Sequence, residues 1–313
     1  GLGDVYKRQV DSLSLYSNIF SFMGLPLSRD LDDDSVKAVI MGVPYDLGTS
    51  GRAGTRSGPQ AIRQASANMR WEEKRWPWDF ALGQRLQAID YGDVDFLFGD
   101  SEDMLQKTEE AAASITAAGK TLVSFGGDHF VALPLLRGTA RTHGKLALIH
   151  FDAHTDSYED AGKYNHGCMF YRAPREGLID PAHSVQVGIR TDYDRASHDF
   201  EVIDAHRANE QPVDETVAAI RSRVGDRPAY LTFDIDCLDP AFAPGTGTPV
   251  VGGLSTSRAM RILQGIADLN IVGFDVVEVS PAYDHADITA LAGASLALQF
   301  LYMRASRVKE AAK

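Results

Sequence analysis

Three side chains that can hold a metal ion alternate along one short stretch of the sequence. Asp152, His154 and Asp156 follow an apolar run at residues 146–149, which predicts a buried strand. In an extended backbone, residues i, i+2 and i+4 point to the same side. The spacing therefore directs two carboxylates and one imidazole toward a common point. Because clustered negative charge is costly, a bound cation would stabilise this arrangement. A polar loop that faces solvent is the alternative interpretation.

Other candidate site residues come after three further apolar segments that predict strands. They are His129 after residues 122–125, Asp234 and Asp236 after residues 230–233, and Glu278 after residues 271–277. Each has an ordinary explanation by itself, such as the start of a helix, a turn former or a surface acid. Their joint placement at strand ends favours a metal site, because ligands in parallel α/β sheets bind beyond the carboxyl ends of the strands.

The elements that must position these residues alternate along the chain. Predicted strands are separated by predicted helices of ten or more residues, which is typical of βαβ units and a parallel sheet. The strands are predicted at 38–44, 88–92, 122–125, 146–150, 184–188, 230–233 and 271–278, and the helices at 59–68, 101–118, 130–141, 213–224, 256–267 and 288–304. We expect a three-layer α/β/α sandwich with a mostly parallel central sheet. Residues 1–14 are expected to be a tail, and residues 15–313 a single domain.

Composition limits the classes of function. The chain has 313 residues, 44% hydrophobic and 24% charged, which is ordinary for a globular protein. The formal net charge of −12 argues against nucleic acid and anionic membranes as partners. The two cysteines, Cys168 and Cys237, form no disulfide framework and fit a reducing compartment. The sequence shows neither 18 consecutive apolar residues nor a secretory signal, so we expect a cytoplasmic protein.

The donor inventory indicates the kind of metal. Four aspartates and two histidines, without cysteine, favour hard or borderline divalent ions, and the imidazoles shift the preference from Mg²⁺ toward Mn²⁺. Six ligands are too many for one ion with an open position, so two ions about 3.5–4 Å apart fit better. The sequence therefore predicts a dimetal centre.

Three segments resemble signatures of the ureohydrolase (arginase/agmatinase) family: GGDH at 126–129, DAHTD at 152–156 and FDIDCLDP at 233–240. The resemblance continues through AFAPGTGTP at 241–249 and DVVEVSPAYD at 275–284, and covers the chain from about residue 15 to 304. Segments SGRAG at 50–54 and NHGCMF at 165–170 are most similar to bacterial agmatinases. Asn165 stands where we expect an acidic residue, and Cys168 where we expect threonine.

The resemblance implies an arginase-like fold and a role for each candidate residue. One Mn²⁺ would be held by His129, Asp152, Asp156 and Asp234, and the other by Asp152, His154, Asp234 and Asp236. A hydroxide between the ions would attack the guanidinium carbon. His166 would carry a proton to the leaving amine, Asp156 would relay one, and Glu278 would bind the guanidinium. Asn165, beside His166, is a further candidate for substrate binding. Without the resemblance, His166 would be interpreted as an exposed loop histidine.

The expected substrate is a small cationic guanidino compound, with agmatine converted to putrescine and urea in polyamine biosynthesis. Glu159 and Asp160 in the loop before His166 would repel the carboxylate of arginine, whereas Lys163 and Asn165 would favour a carboxylate. A guanidinobutyrase or another guanidino-acid ureohydrolase is thus the alternative. Another dimetal hydrolase and a non-catalytic regulatory subunit are weaker hypotheses, because the sequence has no basic phosphate cradle and lacks none of the six ligands. The resemblance also implies a homo-oligomer, a trimer or a hexamer.

Overall fold

One parallel sheet forms the centre of the protein in the computed structural model, which describes residues 20–159, 162–196 and 198–308. Its strands are β1 Val36–Val43, β2 Gln87–Asp93, β3 Thr121–Gly126, β4 Ala147–Phe151, β5 Val185–Val187, β6 Glu201–Ile203, β7 Ala229–Asp234 and β8 Ile271–Val277. Their order is β2-β1-β3-β8-β7-β4-β5-β6, and every neighbouring pair is parallel. The predicted parallel sheet is confirmed.

Helices cover both faces of this sheet. They are α1 Gly58–Ala65, α2 Leu82–Arg85, α3 Ser101–Ala117, α4 Ala132–His143, α5 Met169–Arg175, α6 Ala205–Glu210, α7 Val213–Val224, α8 Thr256–Gly265 and α9 Ile288–Ser306. One apolar cluster joins α3, α4 and α5 to the sheet, and a second joins α1, α7, α8 and α9. The three-layer α/β/α arrangement expected from the sequence is therefore confirmed.

Burial on both faces explains the apolar character of the central strands. Strands β3, β4 and β7 are buried at every position, as expected for a parallel sheet covered on both sides. Helix α9 is long and apolar enough to cross a membrane by length and composition alone. However, 72% of its apolar window is buried inside the fold, which is typical of the core helix of a globular protein.

The sequence missed one short strand and three short helices. Strand β6 has three residues, and α2, α5 and α6 have four, seven and six, too few to produce a recognisable hydrophobic period. The predicted helix at 59–68 is α-helical only to Ala65 and continues as a 3-10 helix, Ser66–Trp71. The predicted tail of residues 1–14 lies outside the described residues, and so does Asp160.

The sheet order brings the candidate residues together. Strands β3, β8, β7 and β4 are consecutive neighbours in the middle of the sheet, although the chain reaches them far apart in sequence. Since they are parallel, their carboxyl ends lie along one edge. The six predicted metal ligands and Glu278 lie at or just beyond the ends of these four strands, so the topology places them in one region.

Candidate metal centre

His129 faces three carboxylates at the carboxyl edge of the sheet. Its Nδ1 lies 3.0 Å from Asp152 Oδ2, 2.9 Å from Asp156 Oδ2 and 3.2 Å from Asp234 Oδ2. None of these contacts has hydrogen-bond geometry, and Nδ1 is a buried atom without a hydrogen-bond partner in the described part of the chain. A ring nitrogen that faces three carboxylate oxygens without a hydrogen bond to any of them fits a cation in their midst, although Asp234 belongs to neither of the two potential metal-binding groups in the described part of the chain.

The other ring nitrogen of His129 fixes its tautomer. Nε2 lies 2.8 Å from the Thr232 hydroxyl oxygen, and the Thr232 hydroxyl donates to Asp275 Oδ1 at 2.6 Å. Because that hydroxyl has one proton, it can only accept from the imidazole. His129 Nε2 therefore carries a proton, and Nδ1 is the nitrogen that faces the carboxylates. Burial opposes the charged ring, but these three carboxylates raise the pKa of His129 well above its usual value, so a metal ion would replace the proton on Nδ1. The Thr232 contact then supports the ligand from behind.

A second group of ligands meets the first at Asp152. His154 Nδ1 lies 3.3 Å from Asp152 Oδ1 and 3.2 Å from Asp236 Oδ2. Asp152 thus directs one oxygen toward His129 and the other toward His154. Asp152, His154 and Asp236 form one potential metal-binding group, and Asp152 also belongs to the group that contains His129 and Asp156. A carboxylate shared by two ligand groups is the geometry expected for a bridging ligand.

The electrostatics of the cluster favour cations. Burial raises the pKa of Asp234 well above its usual value, and Asp236 and Asp152 raise it further. The pKa of Asp236 is also raised by burial and by Asp152. Burial opposes the charged form of His154, but hydrogen bonds to Asp152 and Asp236 outweigh it and raise the pKa of His154 to about 12. Without metal, the cluster binds protons to neutralise its charge. The donor set and its charge therefore fit divalent metal ions, which would replace those protons.

Glu278 presents one unpartnered oxygen beside this cluster. It follows β8 with a φ of +64°, a strained conformation for a residue other than glycine and one that is common at functional sites. Its Oε1 accepts hydrogen bonds from the His129 backbone N–H at 2.9 Å and from His166 Nδ1 at 2.7 Å. Its Oε2 is buried and has no partner in the described part of the chain. This oxygen can accept hydrogen bonds from a ligand.

His166 lies between Glu278 and Ser50. The Ser50 backbone N–H donates to His166 Nε2 at 3.0 Å, and the Ser50 hydroxyl is 2.7 Å from the same nitrogen. Burial lowers the pKa of His166, but the hydrogen bond to Glu278 and the charges of Glu278, Asp156 and Asp128 raise it to about 9. The structure thus brings the predicted proton carrier into contact with the predicted guanidinium ligand.

Polar and charged side chains in the loop before His166 bind other residues of the protein. Lys163 Nζ and the Tyr164 hydroxyl both bind the carboxylate of Glu102 on α3. Glu159 accepts from the Tyr171 hydroxyl at 2.5 Å. The side-chain oxygen of Asn165 accepts from the Gly167 N–H at 2.8 Å, so that oxygen shapes the turn before α5.

Sequence reasoning missed several supporting residues. Ser50, His150 and Thr232 contact predicted site residues through hydrogen bonds. Gln186 and Asp275 in turn contact His150 and Thr232. A signal existed for one of them, because His150 precedes Asp152 by two residues and therefore lies on the same side of an extended strand. No local pattern marks the other four, whose contacts cross between strands and loops.

Comparison with known proteins places this geometry in a family. The model of the Arginase family matches residues 36–303. An agmatinase of Photorhabdus laumondii is 58% identical over 294 residues, which are 94% of this chain and 95% of that protein. The crystal structure of a hypothetical agmatinase from Burkholderia thailandensis is similar at a TM-score of 0.90 and 47% identity, covering 94% of this chain and 93% of that one. Proclavaminate amidino hydrolase from Streptomyces clavuligerus is similar at a TM-score of 0.87 and 38% identity, covering 93% of this chain and 99% of its own. The chain belongs to the arginase family.

Proposed function

We propose that this protein is an agmatinase, which hydrolyses agmatine to putrescine and urea at a dimanganese centre. The supporting observation is that agmatinases 56–58% identical to it match over nearly their whole length, while the six predicted ligands, Glu278 and His166 meet at one edge of the sheet. An enzyme that acts on a guanidinium carbon–nitrogen bond needs both a metal centre and an acceptor for the planar cation, and the two are adjacent here.

Manganese is our assignment for the metal, from the donor chemistry of four carboxylates and two imidazoles. One ion would be held by His129, Asp152, Asp156 and Asp234, and the other by Asp152, His154, Asp234 and Asp236. Two bound ions would supply Lewis acidity and lower the pKa of a water molecule, so that a nucleophile exists near neutral pH. The chain's own residues then have to bind the substrate and move protons.

Glu278 is proposed to bind the guanidinium through Oε2. The other oxygen is already engaged by His129 and His166, so the side chain cannot rotate without losing two hydrogen bonds. A guanidinium offers planar N–H donors that match a fixed carboxylate oxygen. Because Glu278 is buried, this contact would be formed away from water and would orient the carbon toward the metal ligands.

His166 is proposed to protonate the leaving amine. Burial lowers the pKa of His166, but Glu278 raises it to about 9, which favours the protonated ring that an acid needs. In the observed geometry Nε2 accepts the Ser50 N–H and carries no proton, so Nε2 is the atom that takes up the proton before the ring donates it. The Ser50 side chain at Nε2 is exposed, which gives the ring a route for proton exchange with solvent. Asp156 is proposed both as a ligand and as the group that relays a proton from the nucleophile. Asn165 is proposed to contact the substrate next to His166.

Discrimination among guanidino compounds depends on the far end of the substrate, since all of them share the guanidinium. Lys163 and Asn165 were the two residues that could favour a carboxylate there, but the ammonium group of Lys163 binds Glu102. The charge of Lys163 is therefore largely compensated. This contact weakens the case for 4-guanidinobutyrate and arginine as substrates and supports agmatine, whose far end is an amine.

The test is urea release from agmatine, arginine and 4-guanidinobutyrate at saturating Mn²⁺, compared as kcat/KM. We expect agmatine to be the best substrate by orders of magnitude, because an unmatched carboxylate costs several kcal/mol, about 10²-fold or more. The matched variant Lys163→Met should leave this ranking unchanged. Faster turnover of either acid, or a loss of 4-guanidinobutyrate activity in Lys163→Met, would contradict the substrate assignment.

A place in polyamine biosynthesis, a cytoplasmic location and a homo-oligomeric state, as a trimer or a hexamer, complete this proposal. They rest on the resemblance to the family. Light scattering coupled to size-exclusion chromatography measures the mass of the assembly directly, and a monomer would contradict the proposed oligomer.

A further inference from the structure

His150 is a buried histidine in β4 that the proposed chemistry does not use. Its Nε2 lies 2.7 Å from Asp152 Oδ2, the oxygen that also faces His129. By distance alone, His150 could be an additional ligand, since its nitrogen falls within the same potential metal-binding group as His129, Asp152 and Asp156. The hydrogen bonds of His150 show whether it is a metal ligand or orients one.

Gln186 in β5 determines which atoms of His150 carry a proton. The Gln186 side-chain nitrogen lies 2.8 Å from the Thr155 carbonyl oxygen and 2.9 Å from His150 Nδ1. A carbonyl oxygen can only accept, so the amide nitrogen and not the amide oxygen must face Thr155. The oxygen of the same amide faces His198 Nε2 at 2.6 Å, which can donate to it. The orientation of the amide is therefore fixed on both sides.

The second N–H of Gln186 then points at His150 Nδ1, which must accept it. The proton of a neutral His150 consequently lies on Nε2, and Nε2–H donates to Asp152 Oδ2. Ring packing holds this orientation, because the His150 ring centroid lies 4.5 Å from that of Phe170 and 5.2 Å from that of His129. A nitrogen that carries a proton has no lone pair for a metal.

We propose that His150 is a positioning residue, whose Nε2–H orients the carboxylate of Asp152 for metal binding, and that Gln186 sets the tautomer that makes this possible. The inference rests on the proposed metal centre. The chain of hydrogen bonds runs from Asp152 through His150 and Gln186 to His198, which lines a cavity of about 330 Å³ beside the site. One lone pair of Oδ2 is occupied by His150, so the remaining one is directed toward His129.

Metal affinity tests this role without relying on activity. In the full-length protein, His150→Phe keeps a ring of similar shape and removes the donor, whereas His150→Gln keeps an N–H near the position of Nε2. Calorimetric titration with Mn²⁺ should show about 10–100-fold weaker binding for His150→Phe, the usual loss when a group that supports a ligand is removed. Both ions should still bind at saturation. His150→Gln should recover most of the affinity, and the exposed control His206→Phe should match the wild type.

The inference about His150 and the proposed metal centre would be contradicted by different results. Loss of one bound ion in His150→Phe would show that His150 is a ligand, and unchanged affinity would show that it has no role; either overturns the inference and leaves the metal centre standing. Wild-type protein that binds no divalent ion would overturn both.

A second measurement reads the wild-type protein. With ¹⁵N-histidine labelling and diamagnetic Mg²⁺ bound, Nε2 of His150 should carry a proton and Nδ1 should accept the hydrogen bond from Gln186. The His150→Gln spectrum identifies the signals of His150.

A double variant tests the role of Gln186. Gln186→Leu alone should weaken Mn²⁺ binding, and adding it to His150→Phe should cause no further loss of affinity, because the two residues act in series. Protonation at Nδ1 in the wild type, or additive losses, would overturn the inference.

Discussion

Replacing Glu278 with glutamine changes one atom of the proposed guanidinium contact and keeps the shape of the side chain. In the wild type, Oε1 accepts from the His129 N–H and from His166 Nδ1, and Oε2 is the unpartnered acceptor. Glutamine has one acceptor and one donor at these two positions. If its oxygen replaces Oε1, its NH₂ faces the N–H groups of the substrate. If the amide is reversed, its NH₂ faces His129 and His166. A donor therefore meets a donor in both orientations.

The expected loss follows from that mismatch. A buried hydrogen bond to a charged group contributes about 1.5–3 kcal/mol, so removing the one to the guanidinium should lower kcat/KM by about 10–150-fold. The charge of Glu278 also raises the pKa of His166, so the variant should lose part of the proton donor as well. The metal ligands are untouched, and Mn²⁺ content should remain that of the wild type.

The assay is urea release from agmatine at saturating Mn²⁺, with metal content measured on the same samples. Glu176→Gln is the matched control, because Glu176 pairs with Arg137 and Arg172 at the surface and its ion pairs contribute about 0–1 kcal/mol to stability. This control should have wild-type kcat/KM. A Glu278→Gln enzyme with wild-type kcat/KM would refute the assignment of Oε2 as the guanidinium acceptor, and a variant that loses metal would show that Glu278 supports the ligands instead.

Three further predictions concern Asp152 and His166. Asp152→Asn should lose metal and activity together, because its two oxygens face both ligand groups; full activity with one tightly bound ion, by metal analysis, would contradict the dimetal centre. His166→Ala should keep both ions yet turn over about 10²–10⁴-fold more slowly, and metal loss in this variant would show that its role is misassigned. In metal-free protein, NMR titration should give His166 a pKa of about 9, raised from 6.5. The stability due to its charged form is then fully present below pH 6.5 and lost as pH rises through 9, so unfolding of the wild type and His166→Gln should converge at alkaline pH; a pKa at or below 6.5 would contradict the Glu278 contact.

Much of the fold could be predicted because its signals are local. Fully buried strands such as β3 and β7 are apolar without interruption, and the helices between them are long enough to show their period. The short elements β6 and α6 gave no such signal, since their conformation is fixed by neighbours in the sheet and by packing. Helix α1 was predicted too long, because a change from α-helical to 3-10 geometry after Ala65 depends on contacts rather than on composition.

The sequence by itself determined which candidate residues follow the buried strands. The extended backbone expected at 152–156 is wrong, because β4 ends at Phe151 and Asp156 has a φ of +48°. The turn after β4 therefore brings Asp152, His154 and Asp156 together, not the side-chain alternation of a strand. The order of the strands decided the rest. Only the adjacency of β3, β8, β7 and β4 brings His129 within 3.2 Å of Asp234 and His166 within 2.7 Å of Glu278. The contact of Gln186 with His150 and that of Lys163 with Glu102 likewise join residues distant in sequence. Local sequence patterns do not predict such contacts, because tertiary packing brings the partners together.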